Sequence, residues 1–196
     1  ASSMKPDAAM LHVAARNGRV QDMERLIAAG CDVDHRTQDG ATPLFIAAQT
    51  GHVEIVDRLI AARCSLNQAN HDGFSPLLIA AQNGRVQMME RLITARCNIH
   101  QAAASGFIAM HFAAEIGHVE MAERLLAARC NIGQAAANGA TPVYIAAWKG
   151  HAEVVDRLIA ARCNVNRTAQ RGTTPLFMAA QDGHLEVVTR LIAARC

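Results

Sequence analysis

Between Thr42 and Gly73 apolar and polar positions follow a helical rhythm twice and then break into a turn. Thr42-Pro43 predicts a helix start, with the Thr hydroxyl as N-cap and Pro at the first helical position. Leu44 to Gln49 forms the short body, and Gly51 ends it in a left-handed C-cap. His52 opens a second helix whose Val53, Val56, Leu59 and Ile60 recur at the spacing of a buried stripe, with Asp57 and Arg58 on its wetter side. This helix is expected to end near Arg63. The stretch from Asn67 to Gly73, containing Asp72-Gly73, reads as an extended turn. One such unit cannot cover its own apolar face and must stack on neighbours.

The unit recurs. Cys31, Cys64, Cys97, Cys130, Cys163 and Cys196 succeed one another at steps of 33 residues, as do Gly18, Gly51, Gly84, Gly117, Gly150 and Gly183. A second glycine series, Gly40, Gly73, Gly106, Gly139 and Gly172, keeps the same step. Six copies of one unit are expected, with approximate bounds 5–37, 38–70, 71–103, 104–136, 137–169 and 170–196, in a single domain over 1–196. Residues 1–4 read as a cloning remnant.

Composition sharpens this picture. Of 196 residues 51% are hydrophobic but only 4% aromatic, so the apolar content is mainly Ala, Leu, Ile and Val and suits close helix packing. Charged residues at 18% with a net charge of +2 supply no bulk field for nucleic acid or an anionic membrane. Arg, Asp, Glu or His interrupts every apolar segment well short of the roughly 18 residues that a membrane-spanning helix needs.

The text Asp39-Gly40-Ala41-Thr42-Pro43-Leu44-Phe45-Ile46-Ala47-Ala48, then Gly51-His52-Val53-Glu54-Ile55-Val56, then Leu59-Ile60, resembles the ankyrin repeats. It returns around Thr141-Pro142 and Thr174-Pro175, and the resemblance covers essentially everything after Lys5. It implies an all-α fold: an α-solenoid of six stacked ankyrin-like repeats, each a helix-turn-helix plus a β-hairpin-like turn, with the shorter helices lining a concave groove. Three departures stand out. Arg63, Arg96, Arg129, Arg162 and Arg195 replace the usual glycine after the second helix, which Gly30 keeps. Each must adopt a left-handed conformation at some cost or end its helix differently. Ile108-Ala109 stands where Thr-Pro is usual, so that helix is expected to lose its cap, about 1 kcal/mol locally. His111, like His12, keeps the family's histidine position, where Phe45, Leu78, Tyr144 and Phe177 stand in the other copies.

Catalysis, metals and cofactors find no candidate. Equivalent atoms of neighbouring units lie about 8–10 Å apart, beyond the ~7 Å Cα separation of a disulfide, so the cysteine row should be small buried side chains. No Cys-x-x-Cys spacing suggests a metal, and six cysteines without disulfides point to a reducing compartment, cytoplasmic or nuclear. His52, His118, His151 and His184 each come directly after a helix-ending glycine, a repeated place that argues for packing and hydrogen bonding. The arginine row suits helix C-termini, where cations meet the macrodipole. Its alternative role is a cationic rail for nucleic acid or an acidic partner.

The resemblance places partner contacts on the turns and at the ends of the first helices. Large apolar groups fall there at Phe74, Phe107, Ile116 and Trp148. Polar flanks come from His71, Gln82, Asn83, Glu115, Lys149, Arg171 and Gln181. An apolar centre with a polar rim has the anatomy of a hot spot; the alternative is that the rings fold back over the Ala-rich turns. In this family an Asn at the position of Asn67 and Asn166 is a hydroxylation target, although hydrogen bonding within the turn is the simpler reading. The chain is thus expected to be a non-catalytic module holding a protein or peptide in its groove, or a targeting segment of a larger protein. It is expected to be a monomer or to associate weakly end to end, because Leu185, Val187, Val188, Leu191 and Ile192 give its last unit the look of an internal one.

Overall fold

The computed structural model describes residues 8–194; the remnant expected at 1–4, and Arg195 and Cys196, lie outside them. Among the described residues there are twelve α-helices and one 3-10 turn, Gln170–Gly172, and no strand. They divide into two compact units, one through Gln101 and one from Ala102.

The first unit holds α1 (Ala9–Asn17), α2 (Val20–Ala28), α3 (Pro43–Thr50), α4 (Val53–Ala61), α5 (Pro76–Gln82) and α6 (Val86–Thr94). Each odd helix pairs with the even helix after it. The odd helices stack on one another as one layer, and the even helices as a second. The second unit repeats the plan with α7 (Ala109–Ile116), α8 (Val119–Ala127), α9 (Pro142–Lys149), α10 (Ala152–Ala160), α11 (Pro175–Gln181) and α12 (Leu185–Ala193).

The sequence signals act as expected at the helix starts. Thr42, Ser75, Thr141 and Thr174 accept the backbone N–H of Phe45, Leu78, Tyr144 and Phe177 at 3.1, 3.3, 3.4 and 3.1 Å, each with Pro next in sequence at the first helical position. The stripe expected on the second helix shifts by one side chain. Ile55, Val56 and Leu59 are fully buried, whereas Val53 and Ile60 are only half-buried, because α4 packs against α3 on one side and against α2 and α6 within its own layer, which turns Ile55 inward. The arginines after the second helices take the left-handed option, with φ of 59° at Arg63, 64° at Arg96, 60° at Arg129 and 61° at Arg162.

The start of α7 is not left bare. Ile108 offers no capping oxygen, but its own N–H donates to His111 Nδ1 at 3.1 Å. The other ring nitrogen, Nε2, therefore carries the proton and donates to Ala140 O at 3.2 Å, tying α7 to the segment before α9. The loss expected at this start is thus partly made good by the reciprocal arm of a capping box. His111 is fully buried, and burial lowers its pKa from 6.5 to about 4, so the ring is neutral.

Helical pairs are keyed together by histidine. His52 Nε2 donates to Arg16 O at 3.0 Å, His151 to Glu115 O at 3.1 Å and His184 to Trp148 O at 3.0 Å. Successive hairpin tips share one backbone bond each: His71 N–H to Asp39 O, Ala137 N–H to Ser105 O and Gln170 N–H to Asn138 O. A ladder of ion pairs runs along the even helices, Arg58–Glu24 at 2.6 Å and Arg91–Asp57 at 3.6 Å in the first unit, Arg157–Glu123 at 2.7 Å and Arg190–Asp156 in the second. These pairs are largely exposed and worth about 0–1 kcal/mol each, so they set register more than stability.

Candidate functional site

In the first unit the hairpins and the ends of the odd helices border a groove of about 360 Å³, lined by Phe45, Gln49, Phe74, Gln82 and the tip residues Asp39 and Asp72 among others. The Thr37 hydroxyl bonds to the Asp39 carboxylate and holds its pKa below the ordinary carboxylate value, so that tip stays anionic. Phe74 is half-buried, with its N–H held by Asn70 Oδ1 at 2.8 Å. His71, Gln82 and Asn83 are exposed around it.

In the second unit the C-terminal ends of α7, α9 and α11 come side by side, because those helices stack. They carry Glu115 and Ile116, then Trp148 and Lys149, then Gln181, all exposed. Ile116 is 45% and Trp148 40% accessible, whereas Ile145, Ala146 and Ala147 just before Trp148 are buried. Lys149 Nζ lies 4.3 Å from the Trp148 ring centroid, a cation–π contact. The platform is rigid, since the carbonyls of Glu115 and Trp148 are the ones bonded by His151 and His184.

Phe107 behaves differently. It is half-buried, its ring centroid 4.9 Å from that of His111 and 5.4 Å from that of Phe112. Arg171 is exposed at the 3-10 turn, in the left-handed region at φ 63°. Of the two candidate modification sites, Asn67 spends its side-chain oxygen on Asn98 N–H at 2.7 Å, and Asn166 is exposed with its N–H on Asn164 Oδ1 at 3.0 Å.

Cys31, Cys64, Cys97, Cys130 and Cys163 are thiols rather than halves of disulfides. Burial pushes Cys64 up to about 12, Cys97 to about 11 and Cys130 to about 12, values at which a thiol is inert near neutrality. Among the described residues no three His, Cys, Asp or Glu side chains converge as a metal site. No helix among them is long and apolar enough to cross a membrane.

The family model "Ankyrin repeats (3 copies)" matches residues 11–103, 77–169 and 110–196, nearly the whole chain. The chain belongs to the ankyrin-repeat family. Its fold is that family's all-α solenoid. It is similar to the crystal structure of an ankyrin repeat domain from Acinetobacter baumannii AYE, with 27% identity and a TM-score of 0.90 over 96% of this chain and 98% of that one. It is also similar to the human ASB11 ankyrin repeat domain, with 28% identity and a TM-score of 0.84 over 95% of this chain and 83% of that one. No curated protein sequence matches it. Ankyrin repeats are a general protein–protein interaction fold and typically non-catalytic.

Reasoning from sequence missed the ion-pair ladder and the carbonyls that receive the histidines. The ladder had a signal: an acid precedes an Arg by 34 residues at Glu24 and Arg58, Asp57 and Arg91, Glu123 and Arg157, and Asp156 and Arg190.

Proposed function

We propose that this ankyrin domain is a non-catalytic binding module that grips a peptide or folded protein through the ends of its odd helices and the neighbouring hairpin tips. The observation that carries the reading is the exposed pair Ile116 and Trp148, on adjacent helix ends of the second unit with their backbones pinned. Large apolar side chains held rigidly in solvent, and rimmed by Glu115, Lys149 and Gln181, have the composition of an interface centre. In the first unit Phe74 and Gln82 serve the same role in a groove with an acidic lip, joined by the exposed His71 and Asn83 next to its lining residues in sequence. The buried thiols of Cys64, Cys97 and Cys130 support a reducing compartment, cytoplasmic or nuclear. We read the chain as a monomer. Leu185 and Ile192 are exposed on α12, but Thr189 holds the place of the ladder acid, so Arg25 of a second copy would meet no carboxylate there.

Trp148 is the one tryptophan of the chain and reports directly on this reading. Binders selected from a displayed peptide library should shift its emission to the blue and should be lost by Trp148→Ala and Ile116→Ser, with unchanged thermal midpoints. Binders that both variants retain would refute it.

A further inference from the structure

We propose that a second surface, the edge of the second unit formed by the C-terminal ends of α8 and α10 and the loops after them, docks an acidic peptide. Within an antiparallel helical pair this edge lies at the end away from Trp148, so it goes beyond the interface proposed above.

The backbone supplies the first argument. Arg129 and Arg162 come after the last turns of α8 and α10 with φ of 60° and 61°, a region where an L side chain incurs a steric cost and glycine none. The chain itself holds the cheaper solution. Gly30 occupies the same place after α2 with φ 76°, and a Cβ built there would meet nothing within 4 Å. Packing at the equivalent place after α2 therefore demands no side chain. Both are exposed, and among the described residues neither side chain makes an ion pair or hydrogen bond. Two guanidinium groups without side-chain partners are thus held at a conformational cost, offset inside the fold only by the helix macrodipole.

The loops supply the second. Residues 130–135 and 163–168 contain no Asp or Glu. Asn131 and Asn164 spend their side-chain oxygens on the N–H groups of Gly133 at 3.1 Å and Asn166 at 3.0 Å, and Asn131 Nδ2 also donates to Gln134 Oε1 at 3.4 Å. Arg167 adds a third exposed cation, anchored by Nη1 donating to Gly133 O at 2.6 Å. After α2 the corresponding loop carries Asp32 and Asp34 instead, so loops without carboxylates are not a requirement of the fold.

Spacing and charge density select the partner. Arg129 and Arg162 stand one repeat apart, about 8–10 Å. A peptide in the polyproline II conformation advances about 3.1 Å per residue with three residues per turn, so carboxylates on every third residue share one face about 9 Å apart and reach both guanidinium groups in turn. Nucleic acid fits less well. Three cations fall short of the roughly 6–10 phosphate contacts of salt-dependent binding.

The test is fluorescence anisotropy on the full chain with a labelled peptide bearing Glu at every third position in a Gly/Ser background. The same peptide with Gln and a single-stranded RNA of matched length are the comparisons. The Glu peptide should bind wild type and Trp148→Ala alike and weaken about ten-fold or more in Arg129→Gly/Arg162→Gly. The Gln peptide should not bind. Thermal unfolding keeps the test independent of folding: the Gly variant should melt at the same temperature as wild type or higher. Equal binding of the Gln peptide, no binding of the Glu peptide, or undiminished binding by the Gly variant would each overturn the proposal. So would a lower melting temperature of the Gly variant, which would make the arginines structural caps, or tighter binding of the RNA. Loss of library binders in Trp148→Ala with the Glu peptide retained separates this surface from the one above.

Discussion

His111 ties stability to pH with a sign and size set by its surroundings. The ring is fully buried, accepts the Ile108 N–H at Nδ1 and donates to Ala140 O through Nε2, so both nitrogens are committed in the neutral form. A proton on Nδ1 would break the first bond and place a charge in the core. Burial accordingly lowers its pKa from 6.5 to about 4. The unfolded chain takes the proton first, so stability contributed by the neutral ring is complete above pH 6.5 and lost as pH falls toward 4. With those two values the loss is about 2 kcal/mol at pH 5 and about 3 kcal/mol below pH 4. Urea unfolding monitored by Trp148 emission, at pH 7.5 and pH 5, measures it within the second unit. The informative variant is His111→Leu, since Leu78 fills the same repeat position fully buried. At pH 7.5 the variant should be less stable by about 1–3 kcal/mol, because the Ile108 N–H and Ala140 O lose their partner. At pH 5 it escapes the proton penalty, and the gap should narrow by about 2 kcal/mol. His12, whose pKa burial also lowers, is present in both proteins, so its contribution cancels. A gap that stays constant between the two pH values would refute the assignment.

Gly117 and Gly183 have φ of 78° and 77°, but a Cβ at Gly117 would collide with the His151 ring whereas one at Gly183 would meet nothing within 4 Å. Both Ala variants should lose roughly 1–2 kcal/mol to the backbone. Gly117→Ala should lose about 1 kcal/mol more as the bond from His151 to Glu115 O is displaced; equal losses by chemical denaturation would show that the histidine contributes nothing. Iodoacetamide at pH 8, with peptide mass mapping afterwards, should modify half-exposed Cys31 and Cys163 before buried Cys64, Cys97 and Cys130. The reverse order would contradict the thiol burial.

Repetition made most of the fold readable before any coordinates. A Thr-Pro pair, then an apolar run, then a Gly-His pair allows one local solution, and seeing it several times removes the ambiguity that one short helix would leave. The features that escaped were relational. That His151 seeks the Glu115 carbonyl depends on how two pairs stack, and nothing within one repeat states it. The bare start of α7 misled for a similar reason: Ile108 taken alone is a lost cap, while Ile108 with His111 is half of a capping box. The left-handed arginines fall between these cases. Their position was plain from the period, but whether each would bear the backbone cost or unwind its helix depended on the bonds Arg129 N–H to Leu126 O and Cys130 N–H to Leu125 O, which hold the left-handed turn closed.

The candidate surface was harder to read, and Phe107 and Trp148 show why. Both are large aromatics at places where a repeat is free to vary, yet Phe107 is half-buried against its own repeat and Trp148 is exposed. Phe107 has a receiving face in its own repeat, since His111 and Phe112 come four and five residues later and the helix start brings their rings beneath it. Trp148 precedes Lys149 and Gly150 at a helix end, where the chain turns away and an exposed lysine makes a cation–π contact with its ring. A free aromatic is therefore marked by its downstream neighbours as much as by its own place. Energy concentrates accordingly. At 40% accessibility Trp148 retains on the order of 100 Å² of largely apolar surface, worth about 2–3 kcal/mol when a partner covers it. This exceeds what a rim charge such as Glu115 or Lys149 returns, about 0–1 kcal/mol in exposed pairs. Truncating Trp148 should thus weaken a partner at this surface about thirty-fold or more, and neutralising either rim charge only a few-fold.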